Sequence, residues 1–171
     1  MFTIDTESGF RDAVFITSAY GLGENVVQGA VNPDEFYVHK PKLEEGYAPI
    51  LQRHLGTKEM KMVYAAENVR GHSTRNVAVP TTDQQRFSID DETVLALARY
   101  ATSIEKHYSR LTGHFCPMDI EWARDGENGE LFVVQARPET VQSRIDDVRL
   151  QETFHLDERG TVLAEGKSVG R

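Results

Sequence analysis

Residues 117–140, PMDIEWARDGENGELFVVQARPET, constrain this chain more than any other stretch. Two runs of alternating character flank a turn of Asp125, Gly126, Glu127, Asn128 and Gly129, the pattern of an antiparallel hairpin. Strand side chains alternate between faces. Met118, Ile120 and Trp122 therefore share one face, and Asp119 and Glu121 the other. In the second run Phe132, Val134 and Ala136 take one face, leaving Leu131, Val133, Gln135 and Arg137 opposite. With odd positions facing odd positions across the turn, Asp119, Glu121, Gln135 and Arg137 converge on one side.

Two carboxylates, an amide carbonyl and a guanidinium are poor core material, because each must be desolvated and then paired. Two readings of that face stay open. One is a solvent-facing surface with a cross-strand ion pair. The other is a metal-polyphosphate site, since hard oxygen donors suit Mg²⁺ and a guanidinium can fork onto a phosphate.

The rest of the chain reads as α+β, a mainly antiparallel sheet with a helix packed on one face. Met1–Asp5 alternates like a strand with Phe2 and Ile4 on one face, and residues 13–19, 35–39, 61–65 and 75–79 are further strand candidates, rich in β-branched and aromatic side chains. Gly21 and Gly23 lack a third glycine and a following amphipathic helix, so they read as a tight turn rather than a dinucleotide fingerprint. Residues 40–56 have no clean periodicity and read as a surface connection with a short helical piece near Ile50 to His54. Arg70, His72 and Arg75 form a basic excursion that is solvated by default. Ser88 or Asp90 caps a helix running to about Tyr108, with Val94, Leu97, Ala98, Ala101, Ile104 and Tyr108 on its apolar stripe. His107, His114 and Cys116 have no zinc-ligand spacing, and a loop carrying a buried thiol is the reading preferred.

Charge narrows the partners. A net charge of −8 argues against nucleic acid or an anionic membrane surface. The single cysteine makes no intrachain disulfide, and no apolar run reaches the ~20 residues of a membrane helix. A cytoplasmic setting is the default expectation.

DIEWARDG followed by LFVVQARPET, with MFTIDTES and YGLGENVVQGAVNPDEFYVHK upstream, resembles the phosphoenolpyruvate synthase (pyruvate, water dikinase) family, relatives of pyruvate, phosphate dikinase. Nearly the whole chain, Met1 to about Arg144, is similar to the carboxyl-terminal part of that family's ATP-grasp domain, one lobe of the fold. Residues 161–171 resemble the opening of the next domain, the mobile one that carries a phosphorylated histidine. The resemblance implies two parts, 1–144 and a connector with the start of the swivelling domain at 145–171, and makes Met1 an internal methionine with the upstream lobe absent. No histidine here sits in that domain's TxGGxxxH context.

The resemblance further implies conversion of ATP, pyruvate and water to AMP, phosphoenolpyruvate and phosphate, with ATP and Mg²⁺ bound in this part. Glu121 and Gln135 would be the metal ligands, and Asp119 would assist directly or from behind them. Arg137 would be the catalytic cation on the transferred group, and Glu24 of GENVVQG a nucleotide contact. A solvated loop carboxylate remains the other reading of Glu24. The partners implied are ATP, the missing lobe and the phosphohistidine domain of the same polypeptide. A face left apolar by the missing lobe leaves room for self-association into a homo-oligomer. The same lobe in pyruvate, phosphate dikinase, in an antibiotic phosphotransferase or in a non-catalytic binding module stays as the alternative.

Overall fold

The computed structural model describes residues 1–65 and 73–140. The basic pair Arg70 and His72 and the connector at 145–171 lie outside the described residues. The elements run β1 (Ala13–Ser18), α1 (Glu24–Val27), β2 (Asp34–His39), α2 (Lys40–Glu44), β3 (Ile50–His54), β4 (Met60–Tyr64), β5 (Thr74–Ala78), α3 (Thr81–Gln84), α4 (Asp91–Thr112), β6 (Met118–Arg124) and β7 (Leu131–Pro138).

One antiparallel layer organises the fold. β2 pairs with β1 on one side and β3 on the other, and β6 pairs with β7. Residues 1–3 join the two groups. Phe2 exchanges both backbone bonds with Phe15, at 2.7 and 2.9 Å, and Thr3 N–H donates to the Met118 carbonyl at 3.0 Å. Phe2 thus bridges Phe15 on one side and Asp119 on the other. The expected alternation of Met1–Asp5 is corrected here. Met1, Thr3 and Ile4 are buried and Phe2 is half-buried, because a segment flanked on both edges is enclosed whichever way its side chains point.

α4 covers one face of this layer. Asp90 caps it by accepting from Thr93 N–H at 2.8 Å, and Gly113, at φ 76°, ends it. The helix runs a turn past the expected end at Tyr108. Its Val94, Leu97, Ala98 and Ala101 are buried against Val14 and Ile16 of β1, Phe36 and Val38 of β2, and Met118 and Ile120 of β6. The period-3.6 stripe and the period-2 strands thus meet in one core. Cys116 is buried in it, and burial pushes its thiol pKa up.

The expected helical piece at Ile50 to His54 is a strand instead, β3, held to β2 with a bulge between Tyr37 and Val38. The helix lies earlier, at α2, where Pro41 sits in the first turn and fits because that position needs no N–H partner. β4 and β5 form a separate two-stranded sheet.

The Met1 nitrogen donates to the Ile120 carbonyl at 2.7 Å, and Ile120 N–H returns a bond to Met1 O at 2.8 Å, so residue 1 is tied directly to β6.

Candidate functional site

The β6–β7 register sets the site. Asp119 stands opposite Arg137 and Glu121 opposite Gln135, so the four side chains share the face turned away from α4. Arg137 Nε and Nη2 both donate to Asp119 Oδ2, at 2.9 and 2.8 Å. The side chain of Arg137 is 65% exposed and that of Asp119 19%. The carboxylate is thus held in the sheet while the guanidinium reaches into solvent. The hydrogen bond to Asp119 raises the Arg137 pKa further, and the guanidinium stays a cation at any working pH.

Immediately beyond Glu121 the hairpin departs from simple alternation. Trp122 pairs with Val133 and Ala123 with Phe132, so Val134 is an extra residue in a bulge. The bulge reverses the expected faces of the second strand from that point. Leu131 and Val133 fall on the Trp122 side, where Trp122 and Leu131 pack against the core, and Phe132 turns to the side of Glu121. A bulge bends its strand and strengthens the local twist. Here it separates the polar quartet from an apolar rim in which Phe132, Val133 and Val134 are 49%, 42% and 64% exposed.

The same face continues across the layer. Tyr37 opposes Phe15, which opposes Phe2, which opposes Asp119. The Phe15 and Tyr37 rings stack at 4.8 Å and those of Phe2 and Phe15 at 6.5 Å. Burial, with Asp5, Glu35 and Glu7 nearby, pushes the Tyr37 hydroxyl up to about 12. The sequence reading missed this aromatic row. Alternation in β1 and β2 places Phe15 and Tyr37 opposite the core residues, but only the pairing of residues 1–3 brings the row to Asp119.

Glu24 stands apart from the hairpin, at the start of α1. Its Oε1 accepts from Gln28 Nε2 at 2.9 Å, and no hydrogen bond or ion pair among the described residues joins it to the quartet. α1 rests on the second sheet. Leu22 N–H donates to the Met62 carbonyl at 2.9 Å, and Gly21, at φ 82°, bridges Met62. A Cβ on Gly21 would lie 2.3 Å from that carbonyl oxygen, so the turn needs glycine for both its dihedral and its close approach.

The donor set is hard. Glu121 and Gln135 are register partners, and Asp119 lies two residues before Glu121 on the same face. Oxygen donors of this kind fit Mg²⁺, which takes few protein ligands and completes its shell with water and phosphate. Among the described residues no group of three or more His, Cys, Asp or Glu is arranged to hold a metal by itself. The described residues contain no helix long and apolar enough to cross a membrane.

Comparison with known proteins places the chain in a family. The chain is 58% identical over its whole length to a phosphoenolpyruvate synthase of Pseudomonas aeruginosa, 56% identical over 99% of its length to one of Synechocystis, and 52% identical over 99% to one of Escherichia coli. It spans about a fifth of each of them, 21%, 20% and 20% of their lengths. Residues 1–158 match the family described as pyruvate phosphate dikinase, AMP/ATP-binding domain, and the chain belongs to that family.

Proposed function

We propose that this chain supplies the phosphate-and-metal half of a MgATP site in a phosphoenolpyruvate synthase, whose complete polypeptide converts ATP, pyruvate and water to AMP, phosphoenolpyruvate and phosphate through a phosphohistidine. The observation that carries the reading is the register: Asp119 with Arg137, then Glu121 with Gln135, stacked on the helix-free face. Glu121 and Gln135 would hold Mg²⁺, with Asp119 supporting it and fixing Arg137, and Glu24 would contact the nucleotide; the metal would supply positive charge to the phosphate oxygens.

Arg137 neutralises charge on the transferred group. Its ion pair with Asp119 does not prevent this, because the guanidinium keeps donors beyond the two on Oδ2. Phosphoryl transfer depends on positioning and charge stabilisation, so a single lobe makes only part of the clamp. The other partners are the upstream lobe and the phosphohistidine domain, whose beginning we place within 145–171, after a nucleotide-domain portion at 1–144. A cytoplasmic setting is part of the same proposal.

Calorimetric titration with MgATP tests the reading. The full-length polypeptide that carries this chain should bind, and the 171-residue chain should bind weakly or not at all. Glu121→Ala in the full-length form should weaken MgATP about tenfold or more, by loss of a charged ligand. Unchanged affinity in Glu121→Ala and Arg137→Ala would mark a binding module that keeps the fold without using this face.

A further inference from the structure

The residue after Glu24 has no role in the site described so far, yet it is the buried residue of α1. Asn25 is 3% exposed, whereas Glu24, Val27 and Gln28 of the same turn are exposed. Its Nδ2 donates at 2.9 Å to Oδ1 of Asn76, on β5. Asn76 is the register partner of Met62, and Met62 is the residue that bridges Gly21. Gly21, Met62 and Asn76 therefore form one row, and the Asn25 amide closes a loop from α1 back to its far end.

A four-residue helix does not hold its own shape, since nucleation costs more than one turn of hydrogen bonds returns. α1 has no side-chain cap at Gly23, so its orientation depends on what it rests against. An apolar anchor would hold it with little directional preference. A buried amide bonded to a single acceptor fixes both depth and rotation, because leaving that bond unmade costs the full desolvation of the group.

We propose that Asn25 is a positioning residue: its bond to Asn76 sets where the Glu24 carboxylate stands, so that affinity for the nucleotide is tuned from the β4–β5 sheet. This rests on the reading of Glu24 as a nucleotide contact. The β4–β5 pair is separate from the main layer, and on this proposal it acts as the support of the nucleotide end of the site, while the β6–β7 hairpin serves the phosphate end. The two ends are then adjustable independently.

The test is steady-state kinetics of the full-length polypeptide with MgATP varied and pyruvate saturating. Asn25→Ala and Asn76→Ala should each raise KM for MgATP about five- to tenfold with kcat within about twofold, the signature of lost ground-state and transition-state binding together. Glu24→Ala should raise KM at least as much, and Glu24→Ala with Asn25→Ala no further, because both act through one carboxylate. Asn76 is exposed on its strand, so Asn76→Ala keeps the fold even if Asn25→Ala does not. A raised KM in Glu24→Ala with normal KM in Asn76→Ala and in any folded Asn25→Ala would overturn the positioning role alone. Additive effects of Glu24→Ala and Asn25→Ala would overturn it too, by showing another route. An unchanged KM in Glu24→Ala would instead remove the nucleotide contact on which the proposal stands.

Discussion

Arg137→Ala in the full-length polypeptide should lower kcat about 10²–10³-fold, the usual effect of removing one donor aimed at developing charge. The physical grounds are the placement and the environment of the guanidinium. It is fixed by two bonds to a single oxygen of Asp119, yet most of its side chain is exposed on the helix-free face. A cation held at its base and open at its edge costs little reorganisation when charge develops beside it. Arg137→Lys should recover only part of the rate, since an ammonium is a point charge without the planar fork. Thermal unfolding should be nearly unchanged in both variants, because an exposed cross-strand pair adds little to stability. A kcat within threefold of wild type for Arg137→Ala, in rapid-quench measurement of the first phosphoryl transfer, would remove Arg137 from the chemistry.

The quartet was legible in the sequence for a specific reason. Period-2 alternation and the Asp-Gly turn fix which residues share a face, and the single register position between Asp119 and Glu121, Ile120 opposite Ala136, is regular. The bulge at Val134 was not legible. In LFVVQARP every residue up to the glutamine is apolar, so shifting the register by one leaves the pattern of hydrophobicity nearly unchanged, and only the pairing with β6 decides it.

β3 illustrates the opposite failure. Leu51, Gln52, Arg53 and His54 are all exposed, so no buried face imposes an alternation on them. The strand is held by backbone bonds to the open edge of β2 and by the Arg53–Asp91 ion pair, with bonds of 3.0 and 2.6 Å. Propensity reasoning has little to read where the backbone makes most of the contacts. Helix α4 was legible because a capping residue and an apolar stripe agree with one another, although its last turn, up to Gly113, was not read.

The least legible feature of the fold carries the second large expected effect. Asp34 and Lys58 are fully buried, at 0% exposure each, and form an ion pair. In sequence Asp34 belongs to an Asn-Pro-Asp turn and Lys58 to a polar run, and neither position is marked as interior. The structure encloses them by satisfying every valence. Asp34 Oδ1 accepts from Gly56 N–H at 2.9 Å and from Lys58 Nζ, and Oδ2 accepts from the Ser88 N–H and hydroxyl, both at 2.7 Å. Lys58 Nζ donates further to Gly56 O at 2.8 Å. Lys58 itself is left-handed, at φ 42°, a strain of about 1–2 kcal/mol that persists only where the surroundings over-determine it. Gly56 cannot be larger, since a Cβ would lie 2.2 Å from the Pro33 carbonyl oxygen.

Lys58→Met should therefore destabilise the fold by about 3–5 kcal/mol, because it leaves the Asp34 carboxylate buried without its cation. That is a large share of the 5–15 kcal/mol typical of a domain. Asp34→Asn combined with Lys58→Met should recover a substantial part of the loss, since an amide leaves no unpaired charge and can still accept at its oxygen. Urea denaturation of both variants, beside wild type, measures this, and a Lys58→Met midpoint equal to wild type would show that the pair contributes nothing. The consequence reaches the site. The knot ties β2 to the 56–58 loop that enters β4, and β4 supports Gly21 and the α1 turn that bears Glu24. Loosening it should disturb the proposed nucleotide end at Glu24 before the proposed phosphate end, because the β6–β7 hairpin is secured independently by α4 and residues 1–3.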